Sequence, residues 1–184
     1  MFRKIFLSAL LASLQLCSAQ NKYEKDFIEF WTDFKNNYAY FDVQKVDWDK
    51  VKEIYFPFVK DIQNDEQFIQ LLEQVTHELY NGHVTLNISL YTSNRIIPSG
   101  QDIFVEKTGE RYFVSDVRKN SAAAAAGIEP GVEIGSLNGK TIESQIFKFL
   151  PKHTTAYTAE MYSYAANMLL AGTWDKPRAI TIRK

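Results

Sequence analysis

His77-Glu78 begins the arrangement of a zinc hydrolase helix, where two histidines four residues apart share one face and a glutamate serves as general base. Here Asn81 stands where the second histidine would be. His83 lies six residues from His77, a spacing that does not align two imidazoles on a helix. His83 therefore reads as a structural hydrogen-bonding residue at a helix-to-strand corner. His153 follows Pro151 by two residues and reads as solvated. No metal site and no cofactor is assigned. Asp42, Asp47 and Asp49 fall where turns and helix caps belong, not as a catalytic carboxylate pair. Neither a Gly-x-Ser-x-Gly elbow nor a Gly-rich phosphate loop is present. Asn87-Ile88-Ser89 fits the N-glycosylation pattern, which matters only in a eukaryotic secretory pathway.

The chemistry is thus sparse, and the elements carry more information. The 184 residues are 46% hydrophobic and 23% charged, ordinary globular fractions. A formal net charge of −1 offers no basic excess for a phosphate backbone, so nucleic acid is not an expected partner. Thirteen Phe, ten Tyr and three Trp can fill a sizeable core.

Residues 1–19 read as a secretory signal. Arg3 and Lys4 give a positive start, an apolar run from Ile5 to Leu16 follows, and Cys17-Ser18-Ala19 supplies small residues before a cut. The run is too short to span a bilayer, which takes about 20 residues, so the mature chain is expected to have no transmembrane segment and to be periplasmic or extracellular. Lipoprotein anchoring at Cys17 is the alternative, with bulky Leu16 against it. A cut after Ala19 removes the single cysteine, so packing alone must hold the mature protein.

Residues 20–92 read as a helical domain. Phe27, Phe30, Trp31, Phe34 and Tyr38 recur on one helical face. Asp47 caps a second helix carrying Trp48, Val51, Tyr55, Phe58 and Ile62, which Pro57 should kink or split. Asn64 with Gln67 forms a capping box for a third, with the stripe Phe68, Leu72, Val75 and Leu79. Asn81-Gly82 is a left-handed stop. Then Val84, Leu86, Ile88 and Leu90 alternate with polar residues, predicting a half-buried strand.

Residues 93–184 read as a second domain that mixes strands and short helices. Strands are expected over 102–106, 111–118, 132–137 and 178–183, the first two joined by a turn at Lys107-Thr108-Gly109-Glu110. Ser121 caps a short alanine helix that Gly127 ends, and Asn138-Gly139 is a tight turn. Helices are expected over 141–150 and 155–170. The fold class is α+β.

The span 114–139 resembles a PDZ domain of the kind found in exported bacterial proteases. The matching residues are Ala126-Gly127-Ile128, Gly131 and Leu137-Asn138-Gly139. Ala122 or Ala123 stands where proline is common, and Val132-Glu133 replaces the aspartate expected after Gly131. In the first half, Phe41-Asp42-Val43, Val46-Asp47-Trp48, Tyr55-Phe56-Pro57 and Leu79-Tyr80-Asn81-Gly82-His83 resemble the helical region of the C-terminal processing (tail-specific) serine peptidases. Asn81 replaces the aspartate of that family's Asp-Gly-His. The resemblance implies an N-terminal helical region followed by a small PDZ-like β-sandwich. It also implies a peptidase whose serine nucleophile and lysine base lie in a core after the PDZ domain. No stretch matches the nucleophile motif. Met161-Tyr162-Ser163-Tyr164-Ala165 comes nearest and lacks the acid, so no catalytic residue is carried over and the chain is expected to be inactive alone.

What remains is binding. By the family's arrangement, a peptide or protein C-terminus would add as a strand to Ile103, Phe104 and Val105, after the loop 99–102, with Ile142 and Ile146 on the opposite wall. Asp102 sets a negative charge near the carboxylate position, and the same apolar residues could equally close on one another as core. Two readings stay open: a truncated peptidase-family chain that supplies substrate recognition, and a free-standing PDZ-like binding or adaptor module.

Overall fold

The structure, a computed structural model, describes residues 22–183; the expected secretory signal over 1–19 and Cys17 lie outside the described residues. Helices come first and a four-stranded antiparallel sheet follows, the α+β class expected.

The first layer is aromatic. Helix α1 (Lys22–Asn37) packs its stripe on α3 (Trp48–Val59), with the short α2 (Phe41–Gln44) between them. Phe34 and Phe41 both lie within 6 Å of the Trp48 ring, at 5.6 and 5.5 Å. The indole N–H of Trp31 donates to the Trp48 carbonyl and that of Trp48 to the Trp31 carbonyl, at 2.8 and 2.9 Å. Asp47 caps α3 by accepting from the Lys50 N–H. Pro57 does not split α3, because only two residues of helix follow it. Val59, not Phe58, closes the buried stripe, and Phe58 faces solvent. Asn64 caps α4 (Asp65–His77), while the Gln67 side chain reaches back to the Gln63 N–H, one residue before the cap.

Three expectations fail beyond this point. Helix α4 ends at His77, and the left-handed residue is Tyr80 (φ +35°), not Gly82. Gly82 is needed for space: a Cβ there would stand 2.9 Å from the Ile97 carbonyl oxygen. The alternating run 84–91 forms no strand, since nothing among the described residues pairs with it. Residues 141–150 form no α-helix but a turn and one 3₁₀ turn, Ile146–Phe149. Over 141–150 the spacing still marks the buried side chains, Ile142, Ile146, Phe149 and Leu150, which tertiary packing covers without a regular helix, whereas over 84–91 none of the alternating apolar residues is fully buried and Ile88 is exposed.

Strands β1 (Ile103–Thr108), β2 (Arg111–Val117), β3 (Glu133–Leu137) and β4 (Ile180–Arg183) lie side by side in that order. Gly109 at φ +58° makes the tight β1–β2 turn, and Asn138-Gly139 (φ +49° and +75°) turns the chain after β3. Ser121 caps α5 (Ala122–Ala125) on the β2–β3 connection. Helix α6 (Ala159–Ala171) starts four residues later than the spacing suggests, where Thr158 caps it. It is buried on nearly every side and packs against both β1 and the 3₁₀ turn, so it joins the sheet to the helical layer.

Candidate functional site

Strand β1 lies at one end of the sheet, and its outer edge meets α6. Asn167, fully buried on α6, takes up the backbone of Val105. Its Oδ1 accepts from the Val105 N–H at 3.0 Å, and its Nδ2 donates to the Val105 carbonyl at 2.8 Å. Asn167 Oδ1 also accepts from Gln101 Nε2, and Ser163 Oγ accepts from the Lys107 N–H. Two α6 side chains thus occupy the edge positions at 105 and 107. Ile103, Val105, Ile142 and Ile146 are buried. Phe104 is only half-buried and borders a cavity of about 230 Å³ with Pro98, Ser99, Asp102, Asp116 and Arg118. The Arg118 guanidinium donates to the Pro98 and Ser99 carbonyls and so braces the loop before β1.

A larger cleft, about 760 Å³, opens between α4, the irregular segment 82–97, the 3₁₀ turn and α6. His77 lies in its wall, hydrogen-bonded through Nδ1 to the Tyr164 hydroxyl at 2.9 Å and edge-on to the Phe149 ring. Burial pushes the His77 pKa down to about 4, and the nearby Lys148 and Lys152 charges act in the same direction against the opposing pull of Glu78. The ring is neutral at physiological pH.

His153 is the clearest correction to the sequence reading. It is buried, not solvated, and its Nδ1 lies 2.9 Å from a Glu78 carboxylate oxygen. Glu78 also accepts from the Tyr55 hydroxyl and from the Lys152 and His153 backbone N–H groups. Burial alone would raise the Glu78 pKa; these donors outweigh it and hold the carboxyl below its ordinary value. Burial and the adjacent Glu78 charge push the Tyr55 phenol pKa up. A signal for Glu78 was available, because position 78 follows Val75 by three and so continues the buried side of α4 one residue past its end. Nothing local marks His153.

His77 and Glu78 serve different partners, so they do not converge on a common metal. No group of three or more His, Cys, Asp or Glu side chains able to hold a metal occurs among the described residues. His83 makes its hydrogen bond through the backbone N–H, to Asn81 Oδ1, and its imidazole is exposed without a hydrogen bond among the described residues. The expected corner role therefore belongs to Asn81. Ser163 Oγ donates to the Ala159 carbonyl and accepts from the Lys107 backbone N–H, and no histidine or lysine side chain hydrogen-bonds it among the described residues.

Residues 19–77 match the family model of the tricorn protease C1 domain. Among solved structures, mature CPAF superimposes with a TM-score of 0.52 and 14% identity, over 88% of this chain and 32% of its own. A serine-to-alanine mutant of CPAF gives a TM-score of 0.50 and 13% identity, over 88% and 31%. Over residues 19–77 the chain is thus similar to a domain of a protease, and beyond that stretch the likeness to CPAF is one of fold. The chain spans about a third of the CPAF length. No curated protein sequence matches it.

Proposed function

We propose that this chain is the front portion of an exported serine peptidase of the tail-specific kind, supplying substrate recognition through a PDZ-like domain while the catalytic core lies outside these residues. The observation that carries the reading is the 88% overlap with CPAF, which takes in both the helical layer and the sheet. The C1-domain match at the N-terminal end and the Ala-Gly-Ile and Leu-Asn-Gly turns around β3 point the same way.

Recognition is assigned to the start of β1. The cavity beside Phe104 takes an apolar side chain, and Ile103, Phe104 and Val105 offer the strand. Asp102 and Asp116 outnumber Arg118 there, so the apolar side chain rather than the carboxylate carries the affinity of a C-terminal peptide. Asn167 holds the edge of β1 in the resting state, and an added strand exchanges its two bonds to Val105 for the peptide's own.

Titration of labelled apolar-ended peptides against the chain tests this. Saturable binding that Phe104→Asp abolishes supports it; no saturable binding removes the recognition role. Protein sequencing of the exported product should start at Gln20. Reading the gene past codon 184 separates the two forms of the proposal. A frame continuing into a serine- and lysine-bearing core supports the peptidase, and a stop there supports a free-standing adaptor.

A further inference from the structure

The large cleft has a polarity that the proposed recognition site lacks. Of the residues lining it, Arg95, Lys148 and Lys152 are cationic and Glu73 is the lone acid. Glu73 is engaged by the Ser93 hydroxyl. None of the three cations has an ion-pair partner among the described residues. Each rests on a ring instead: Arg95 on Trp174 at 4.7 Å, Lys148 on Phe149 at 4.5 Å and Lys152 on Tyr55 at 4.9 Å. The Arg95 Nε is buried and has no hydrogen-bond partner.

The opposite wall is the segment that failed to become a strand. From Thr85 to Ser89 neither backbone nor side chain makes a hydrogen bond within the described residues. Its side chains still alternate in burial at first, and Ile88 and Ile96 stand 56% and 49% exposed along the cleft. Free main-chain donors and acceptors, exposed aliphatic side chains and uncompensated positive charge therefore face one space.

We propose that this cleft receives an extended acidic segment of another protein chain. The segment pairs its backbone with residues 85–89, lays apolar side chains against Ile88 and Ile96, and sets carboxylates toward Lys148, Lys152 and Arg95. This site is separate from the Phe104 cavity and does not rest on the peptidase reading.

The probe is a labelled ten-residue peptide of alternating Leu and Glu, titrated by fluorescence anisotropy against the full chain. Peptides alternating Leu with Ser and Leu with Lys serve as comparisons. The Leu–Glu peptide is expected to bind saturably, about tenfold or more tighter than Leu–Ser, and to weaken with added salt. Lys148→Glu with Lys152→Glu, both at exposed positions, should weaken it by about tenfold or more. Ile88→Pro removes a main-chain donor that bonds nothing in the free protein, so it should weaken binding without unfolding the chain. Phe104→Asp should leave it unchanged. Equal binding of Leu–Lys, no saturable binding, or loss on Phe104→Asp with none in the lysine variants would overturn the proposal. A concentration-dependent dimer abolished by the lysine variants would overturn it too, because the occupant would then be a second copy.

Discussion

The helical layer and the seam that joins it to the sheet are held in opposite ways. In the layer, Phe34, Phe41, Trp48 and their neighbours share the work across many ring contacts. In the seam, single buried polar side chains each satisfy several groups at once. Glu78 accepts from Tyr55, Lys152 and His153, and Asn167 serves Val105, Gln101 and the Ser163 carbonyl. Distributed packing degrades gradually, whereas a shared polar hub leaves several orphaned groups when it is removed. The contrast predicts a steep hierarchy of single substitutions.

Glu78→Ala should have the largest effect. It strands His153, the Tyr55 hydroxyl and two backbone N–H groups in a buried place, a loss of about 3–5 kcal/mol by analogy with broken buried pairs. Urea unfolding would measure it. A loss near 1 kcal/mol would mean that the seam has no hub there. Asn167→Ala comes next. It leaves the Val105 N–H and C=O without partners under α6, and about 3 kcal/mol is expected. If the β1 edge then opens, apolar-ended peptides should bind the variant more tightly than the parent even as its Tm falls.

The third prediction concerns acid. The folded pKa of His77, about 4, lies below its unfolded value, so the folded state binds fewer protons. Its contribution is complete above the ordinary histidine pKa near 6.5 and is lost as pH falls from there toward 4. That window corresponds to about 3 kcal/mol. The depressed Glu78 carboxyl adds to the loss lower down: its contribution is present above the ordinary glutamate value and disappears as pH falls through the folded one. Chemical denaturation between pH 7 and pH 4 should show declining stability, and His77→Gln should flatten the upper part of that decline. A parent curve that is flat from pH 7 to pH 4.5 would contradict the placement of His77.

These differences explain what could be read from residues alone. The stripes of α1, α3 and α4 were legible because a layer held by apolar side chains must repeat them at helical spacing. The caps Asp47, Asn64 and Ser121 and the turns at Gly109 and Asn138-Gly139 were legible because each works within a few residues. The strands β1 to β4 followed from alternation and those turns. The seam was not legible. His153 is set against Glu78 by contacts 75 residues apart in sequence, and no local pattern announces a buried histidine. The run 84–91 alternates like a strand, yet only tertiary structure decides whether a partner strand exists. Of the residues chosen for peptide capture, Ile103, Val105, Ile142 and Ile146 are buried and Phe104 reaches a cavity. Hydrophobic type alone cannot distinguish those two situations.

The smallest predicted effect tests the layer side of the contrast. Asp47 caps α3 with one hydrogen bond, from the Lys50 N–H at 2.9 Å, at an exposed position where water can replace the lost acceptor. Asp47→Ala should therefore cost about 1 kcal/mol, as N-cap losses do. Asp47→Asn should cost less, because its side-chain carbonyl can still accept and only the favourable charge near the helix N-terminus is lost. The Trp31–Trp48 exchange of indole bonds sits directly behind this cap and does not depend on it. The α1–α3 contact should hold in both variants, with the indole fluorescence of the native state unchanged. A loss of 3 kcal/mol or more in Asp47→Ala would place a hub inside the layer as well, and the distinction between shared packing and concentrated polar support would no longer divide the molecule at α4.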